Sequence, residues 1–197
     1  MLRRHPLAVG TVVAVLAAVG AAGIWSAVAD DGPSHQKVEA SLHFTPADKA
    51  PTGLLEGDKT GTPAPTTRFP RLEGGFGSLA DYKGTPVVLN FFGSWCVPCR
   101  KETPDLQHVH TELGDKVKFL GLAVNDSARD AKAFVIQFGA TYDVGRDANG
   151  KIFSELGGVN MPSTFFISAE GKIVAAHAGA LDAAALRTLI DKNLFHP

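Results

Sequence analysis

The sequence predicts an α/β fold: a central mixed β-sheet flanked by helices. Three observations carry this. Stretches rich in β-branched and aromatic residues alternate with stretches of helical periodicity, in the order β-α-β-α-β and then β-β-α. The run Val87-Val88-Leu89-Asn90-Phe91-Phe92 is apolar almost without a break, as a strand covered on both faces must be. The only cysteines of the chain, Cys96 and Cys99, stand where that strand hands over to a helix.

The N-terminus sets the compartment. Arg3 and Arg4 precede an uncharged run over 7–29, which at 23 residues is long enough to cross a bilayer core. The arginines before it and Asp30-Asp31 after it direct the N-terminus to the cytoplasm and the remainder outside. The run is also rich in Ala and Gly, and Ala27-Val28-Ala29 has the small-residue pattern of a cleavage site. Residues 1–29 are therefore read as a signal-anchor or a signal peptide. The protein is then a single-pass protein of the cell membrane with an extracytoplasmic domain, or secreted if the signal is cleaved. Residues 30–65 carry five prolines and four glycines with poor apolar periodicity, and are read as an extracytoplasmic linker. The folded domain is expected over 66–197.

Within the domain, Arg68 to Leu72, then Glu73-Gly74-Gly75, then Phe76 to Leu79 predict a short N-terminal β-hairpin. Ser78 caps a helical turn that Gly84 ends. After the strand at 87–92, a helix is expected over 97–113, with Pro104 inside it and Gly114 at its end. A strand follows over 116–124. Ser127 caps a helix whose Ala131, Phe134, Val135 and Phe138 recur at helical spacing, with Gly139 as its stop. A short strand at 141–144, the turn Asp147-Ala148-Asn149-Gly150 and a short helix at 152–156 come next. Strands at 163–168 and 173–178 make a hairpin. Asp182 then opens a last helix with Leu186, Leu189, Ile190 and Leu194 on one face.

Composition is ordinary for a globular protein. Of 197 residues 45 % are hydrophobic and 20 % charged, and the formal net charge of −1 gives no electrostatic case for nucleic acid. Chemistry concentrates at Trp95-Cys96-Val97-Pro98-Cys99. Spacing of i, i+3 at the first turn of a helix brings two thiols together. It also places Cys96 where unpaired N–H groups and the helix dipole favour a thiolate. A thiol of ordinary pKa, about 8.5, is only ~3 % ionised at neutral pH, whereas lowering it to about 7 brings that to roughly half. Pro98 suits the first turn, where its missing N–H is not needed. A purely structural bridge over so short a loop would add only about 2 kcal/mol. A zinc site would need a second ligand pair, and the 7 histidines are scattered, so no metal is expected.

Val87 to Arg100 resembles the TlpA/ResA/CcmG type of thioredoxin-like protein, which are extracytoplasmic thiol–disulfide oxidoreductases, many tied to cytochrome c maturation. The similarity extends through Leu79 to Gly84, Gly158 to Ile167 and Glu170 to Ile173. It implies a thioredoxin-like fold with Cys96 as the attacking and Cys99 as the resolving thiol of a redox-active disulfide, with no cofactor. Pro162 matches a cis-proline that faces the cysteines, so that the backbone of Met161 can receive a substrate chain, and Trp95 joins them on the substrate side.

The chain also departs from its relatives. Asn90 stands six residues before Cys96, where thioredoxin proper has a buried acid, and an amide cannot take a proton. Asp126, after the strand end Val124-Asn125, is the candidate for tuning the cysteines in its place. Glu102 is read as a solvated helix residue. Val97 replaces the acid that some relatives carry between their cysteines.

The expected function is thiol–disulfide exchange with exported proteins bearing cysteines, as a reductant fed by a membrane redox donor. The same site run backwards is a disulfide oxidase for protein folding. A reading from another class is a copper-binding carrier using Cys96, Cys99 and Met161.

Overall fold

A computed structural model describes residues 57–196. The expected membrane anchor or signal helix at 1–29, and the linker as far as residue 56, lie outside the described residues. Among the described residues no helix is long and apolar enough to cross a membrane.

Five strands form the central sheet: β3 (Val87–Phe92), β4 (Lys118–Val124), β5 (Asp143–Asp147), β6 (Ser163–Ile167) and β7 (Ile173–Ala178), counting β1 (Phe69–Pro70) and β2 (Phe76–Gly77) as a separate two-residue antiparallel ladder. Their spatial order is β5-β4-β3-β6-β7. Helix α1 (Val97–Leu113) connects β3 to β4 and helix α2 (Ala128–Phe138) connects β4 to β5; both connections join parallel neighbours, as crossovers must. β6 and β7 run antiparallel to β3 and to each other. The sheet is therefore mixed and the fold is thioredoxin-like.

Every residue of β3 is buried, which is why its sequence shows no polar alternation. The pleat nonetheless sorts its side chains. Leu89 and Phe91 join Leu120, Leu122 and Phe165 in a core closed by Phe69, Tyr82 and α3 (Lys151–Glu155). Val88 faces the other way, into a core built by α1 and α4 (Ala183–Ile190) through Leu106, Val109, Leu186 and Ile190. At the carboxyl end of β3, Phe92 stacks on Phe134 of α2, with ring centroids 4.8 Å apart, in a third cluster that holds both cysteines.

Three boundaries differ from expectation, the first being β4, which starts at Lys118 rather than residue 116 because Gly114–Lys116 form a 3-10 turn. The strand expected at 141–144 lies at Asp143–Asp147 instead. Thr141 is drawn into the preceding loop by Gln107, whose Oε1 accepts the Thr141 N–H at 2.7 Å and whose Nε2 donates to the Thr141 hydroxyl at 2.8 Å. The end of the expected linker is also part of the fold. Gly61 donates its N–H to the Ile173 carbonyl (2.8 Å), Ile173 donates to Thr62 (2.9 Å) and Ala64 donates to Gly171 (2.9 Å), so this segment straps the start of β7.

Candidate active site

β3 ends at Phe92, and the chain turns through Gly93, Ser94 and Trp95 into α1. Gly93 lets the Trp95 indole lie against the turn: a Cβ there would sit 2.7 Å from the ring and push it outward. Cys96 is the N-cap of α1, and its sulfur accepts the Cys99 N–H at 3.2 Å. One of the unpartnered donors at the helix start thus points at the sulfur. Cys96 and Cys99 are joined in a disulfide with Cα atoms 5.3 Å apart. They are not equivalent. Cys99 is fully buried, whereas Cys96 retains 4 % exposure beneath an exposed rim of Trp95 (56 %) and Val97 (59 %). A reagent from solvent meets Cys96 first.

The Met161–Pro162 peptide is cis. Met161 packs against the cluster that contains Cys96 and Cys99. Among the described residues the Met161 main-chain N–H and C=O have no backbone hydrogen-bond partner. Pro162 immediately precedes β6, and its carbonyl anchors the loop by accepting the Gly179 N–H at 2.9 Å. Trp95, Met161 and Pro162, far apart in sequence, thus gather at the carboxyl end of β3, where open α/β sheets bind ligands.

Asn90 and Asp126 part company. The Asn90 amide is buried and donates to Glu102 Oε1 at 2.7 Å and to the Thr164 hydroxyl at 3.2 Å. The Asp126 carboxylate bonds to Ser94 and Ser127, at the turn before the disulfide. Glu102 corrects the sequence expectation. It is a buried residue of α1, one turn beyond Cys99, and its second oxygen accepts the Leu181 N–H at 3.1 Å. Burial pushes its carboxyl up to about 7, against the opposing pull of the bonds from Asn90 and Leu181. α1 thus supplies a buried carboxyl behind Asn90, and the Asn90 amide holds it. One signal could have found it: Cys99, Glu102, Leu106 and Val109 follow the helical repeat of the buried stripe. Among the described residues no group of three or more His, Cys, Asp or Glu side chains is placed to hold a metal ion.

A disulfide at a helix start, with the loop of a cis-proline packed against it through Met161, can exchange with a thiol. Comparison with known proteins agrees with the fold. The AhpC/TSA family model matches residues 60–176. The chain belongs to the AhpC/TSA family. The thiol-disulfide oxidoreductase ResA of Bacillus thuringiensis subsp. konkukian is 34 % identical over 115 residues, which are 58 % of this chain and 66 % of that protein. ResA of Geobacillus thermodenitrificans is 32 % identical over 124 residues, 61 % of this chain and 70 % of that protein. Among solved structures, a DsbF homologue from Corynebacterium diphtheriae is 38 % identical, with a TM-score of 0.62, covering 73 % of this chain and 96 % of its own. A secreted thiol-disulfide isomerase from Corynebacterium glutamicum is 29 % identical, with a TM-score of 0.59, covering 66 % of this chain and 83 % of its own. The chain thus spans about two thirds of the length of the first ResA relative, and nearly all of the diphtherial homologue.

Proposed function

We propose that this AhpC/TSA-family protein is a thiol–disulfide oxidoreductase that works outside the cytoplasm on exported proteins bearing cysteines. The observation that supports this most is the asymmetric disulfide at the start of α1, in which Cys96 alone keeps a trace of exposure. In the reducing direction the Cys96 thiolate attacks one sulfur of a substrate disulfide, and the other substrate sulfur leaves as a thiolate. Cys99 then gives up its proton and attacks the Cys96 sulfur. The Cys96–substrate bond breaks, the Cys96–Cys99 bond forms, and the substrate leaves as a dithiol. Glu102, with its carboxyl near 7, is suited to take the proton that Cys99 loses. Trp95, Met161 and Pro162 form the face on which the substrate chain lies, its backbone meeting the free Met161 main chain as an added strand would.

The preferred direction is reduction, fed by a membrane redox donor, with cytochrome c maturation as the setting. The uncharged run at 7–29 holds the domain at the cell membrane or directs its secretion. Full-length protein with Cys99→Ser tests the exchange chemistry: it should accumulate mixed disulfides through Cys96 with exported proteins, visible as adducts that a reductant removes. If none form, the exchange reading is wrong. Equilibration of the wild type with glutathione buffers tests direction. A potential near about −270 mV fits a reductant, and one near about −120 mV makes the protein an oxidase.

A further inference from the structure

Resting on the exchange chemistry proposed above, we propose that Asp126 is a positioning residue for Cys96, acting through Ser94. Ser94 lies in the turn between β3 and the nucleophile, two residues before Cys96. Asp126 Oδ2 accepts the Ser94 N–H at 2.7 Å and Oδ1 accepts the Ser94 hydroxyl at 2.9 Å. Oδ1 also accepts the Ser127 N–H at 3.0 Å. Both oxygens therefore grip one residue, by its main chain and its side chain together. Hydrogen bonds to a carboxylate are roughly twice as strong as neutral ones, and this one is 9 % exposed, so water competes poorly.

The backbone is bent to deliver that carboxylate. Asn125, immediately before Asp126, has φ of +50°, and it is the only non-glycine residue with positive φ among the described residues. Asn tolerates that conformation better than other side-chain-bearing residues, and two contacts hold it. Here the Asn125 N–H donates to the Asp147 carbonyl at 3.1 Å and the Arg146 guanidinium reaches the Asp126 carbonyl at 3.4 Å. From the opposite side, Arg100 of α1 donates to the Ser94 carbonyl at 2.6 and 3.1 Å. Ser94 is thus held at its N–H, its hydroxyl and its C=O. The Cys96 N–H donates to Gly93 at 3.0 Å, which carries this rigidity to the sulfur. With its oxygens engaged by Ser94 and Ser127, Asp126 sets where Cys96 stands and leaves the handling of protons to Glu102.

The test uses the reduced full-length protein as wild type, Asp126→Ala, Asp126→Asn, Ser94→Ala and the Asp126→Ala/Ser94→Ala double variant. Two readouts are taken: titration of the Cys96 thiolate by its ultraviolet absorbance, and the rate of insulin disulfide reduction. Asp126→Ala should raise the Cys96 pKa and slow reduction about tenfold, because the sulfur loses its fixed place at the helix start. Asp126→Asn, which keeps an acceptor oxygen, should recover part of both. Ser94→Ala should show a smaller shift of the same sign and add nothing to Asp126→Ala, since its hydroxyl then has no acceptor. An unchanged Cys96 pKa in folded Asp126→Ala overturns the proposal, as does a fall, which is what loss of a nearby carboxylate charge alone would produce. If Asp126→Ala does not fold, Ser94→Ala decides: unchanged titration and rate overturn it. A wild type that leaves insulin intact counts against the exchange chemistry alone, and the titration still decides what Asp126 does.

Discussion

At the scale of single residues, the carboxyl of Glu102 makes a pH dependence. Its folded-state pKa of about 7 lies above its ordinary value of 4.5, so the folded protein binds this proton more tightly than the unfolded chain does. Stability from this group is greatest at low pH, falls as pH rises from 4.5 to about 7, and is level above that. At about 1.4 kcal/mol per pKa unit the fall is of order 3 kcal/mol. Glu102→Gln keeps an oxygen for Asn90 or Leu181 but cannot ionise. Urea unfolding at about pH 5 and about pH 8 should therefore show a smaller loss of stability for the variant than for the wild type, by about that amount. Equal losses would mean that Glu102 is not desolvated in the folded state. The residue-scale pattern was partly legible. Cys96 and Cys99 declare themselves by spacing, and Pro162 by resemblance. Glu102 does not, because a glutamate on a helix is ordinarily solvated and only its place in the buried stripe argues otherwise. Asp126 is visible as a carboxylate near a strand end, but its grip on Ser94 joins residues 32 apart in the chain, which no local pattern announces.

At the scale of elements, what can be read depends on whether the signal is local. The bounds of α2 follow from its own caps: the Ser127 hydroxyl accepts the Asp130 N–H at 3.0 Å, and Gly139 ends the helix with φ of +68°. Gly139→Ala, in a conformation that an L side chain resists, should cost about 1 kcal/mol. β5 is different. Asp143-Val144-Gly145-Arg146-Asp147 is too polar to look like a strand, and it becomes one because Leu120–Val124 offers a parallel ladder. The same strand supports the β1–β2 ladder, since Phe69 packs over Gly145. A Cβ there would lie 2.4 Å from the Phe69 ring and 3.1 Å from Leu122, both buried and unable to yield. Gly145→Ala should therefore destabilise by about 1–3 kcal/mol, more than Gly139→Ala despite the identical added methyl. Thermal or urea unfolding of the two variants side by side checks this. The reverse order would mean that β1 does not seat on β5 in solution.

At the scale of the whole molecule, the sheet has two edges and they are managed differently. At β5, Arg71 bridges to Gly145 and shields the edge with its charge, its guanidinium 3.6 Å from Asp143. At β7, whose Val174-Ala175-Ala176 offers no charge, the strap at 61–64 pairs with the strand's start, and Ala64 packs on the main core. Composition hides this role. Prolines and glycines mark residues 30–65 as a linker, and nothing in Gly61-Thr62-Pro63-Ala64 is apolar enough to suggest docking. The pairing comes from β7 having an open edge, which is a property of the assembled sheet. A domain begun at residue 66, where the sequence alone places the boundary, lacks the strap, whereas one begun at residue 57 keeps it. The shorter form loses three backbone hydrogen bonds, worth about 1 kcal/mol each, so its urea stability should be lower by about 2–4 kcal/mol. Its freed apolar edge should also pair with that of a second molecule, so sedimentation should find concentration-dependent association in the shorter form and none in the longer. Equal stability and equal sedimentation would show that the strap merely rests on the sheet and that β7 needs no cover.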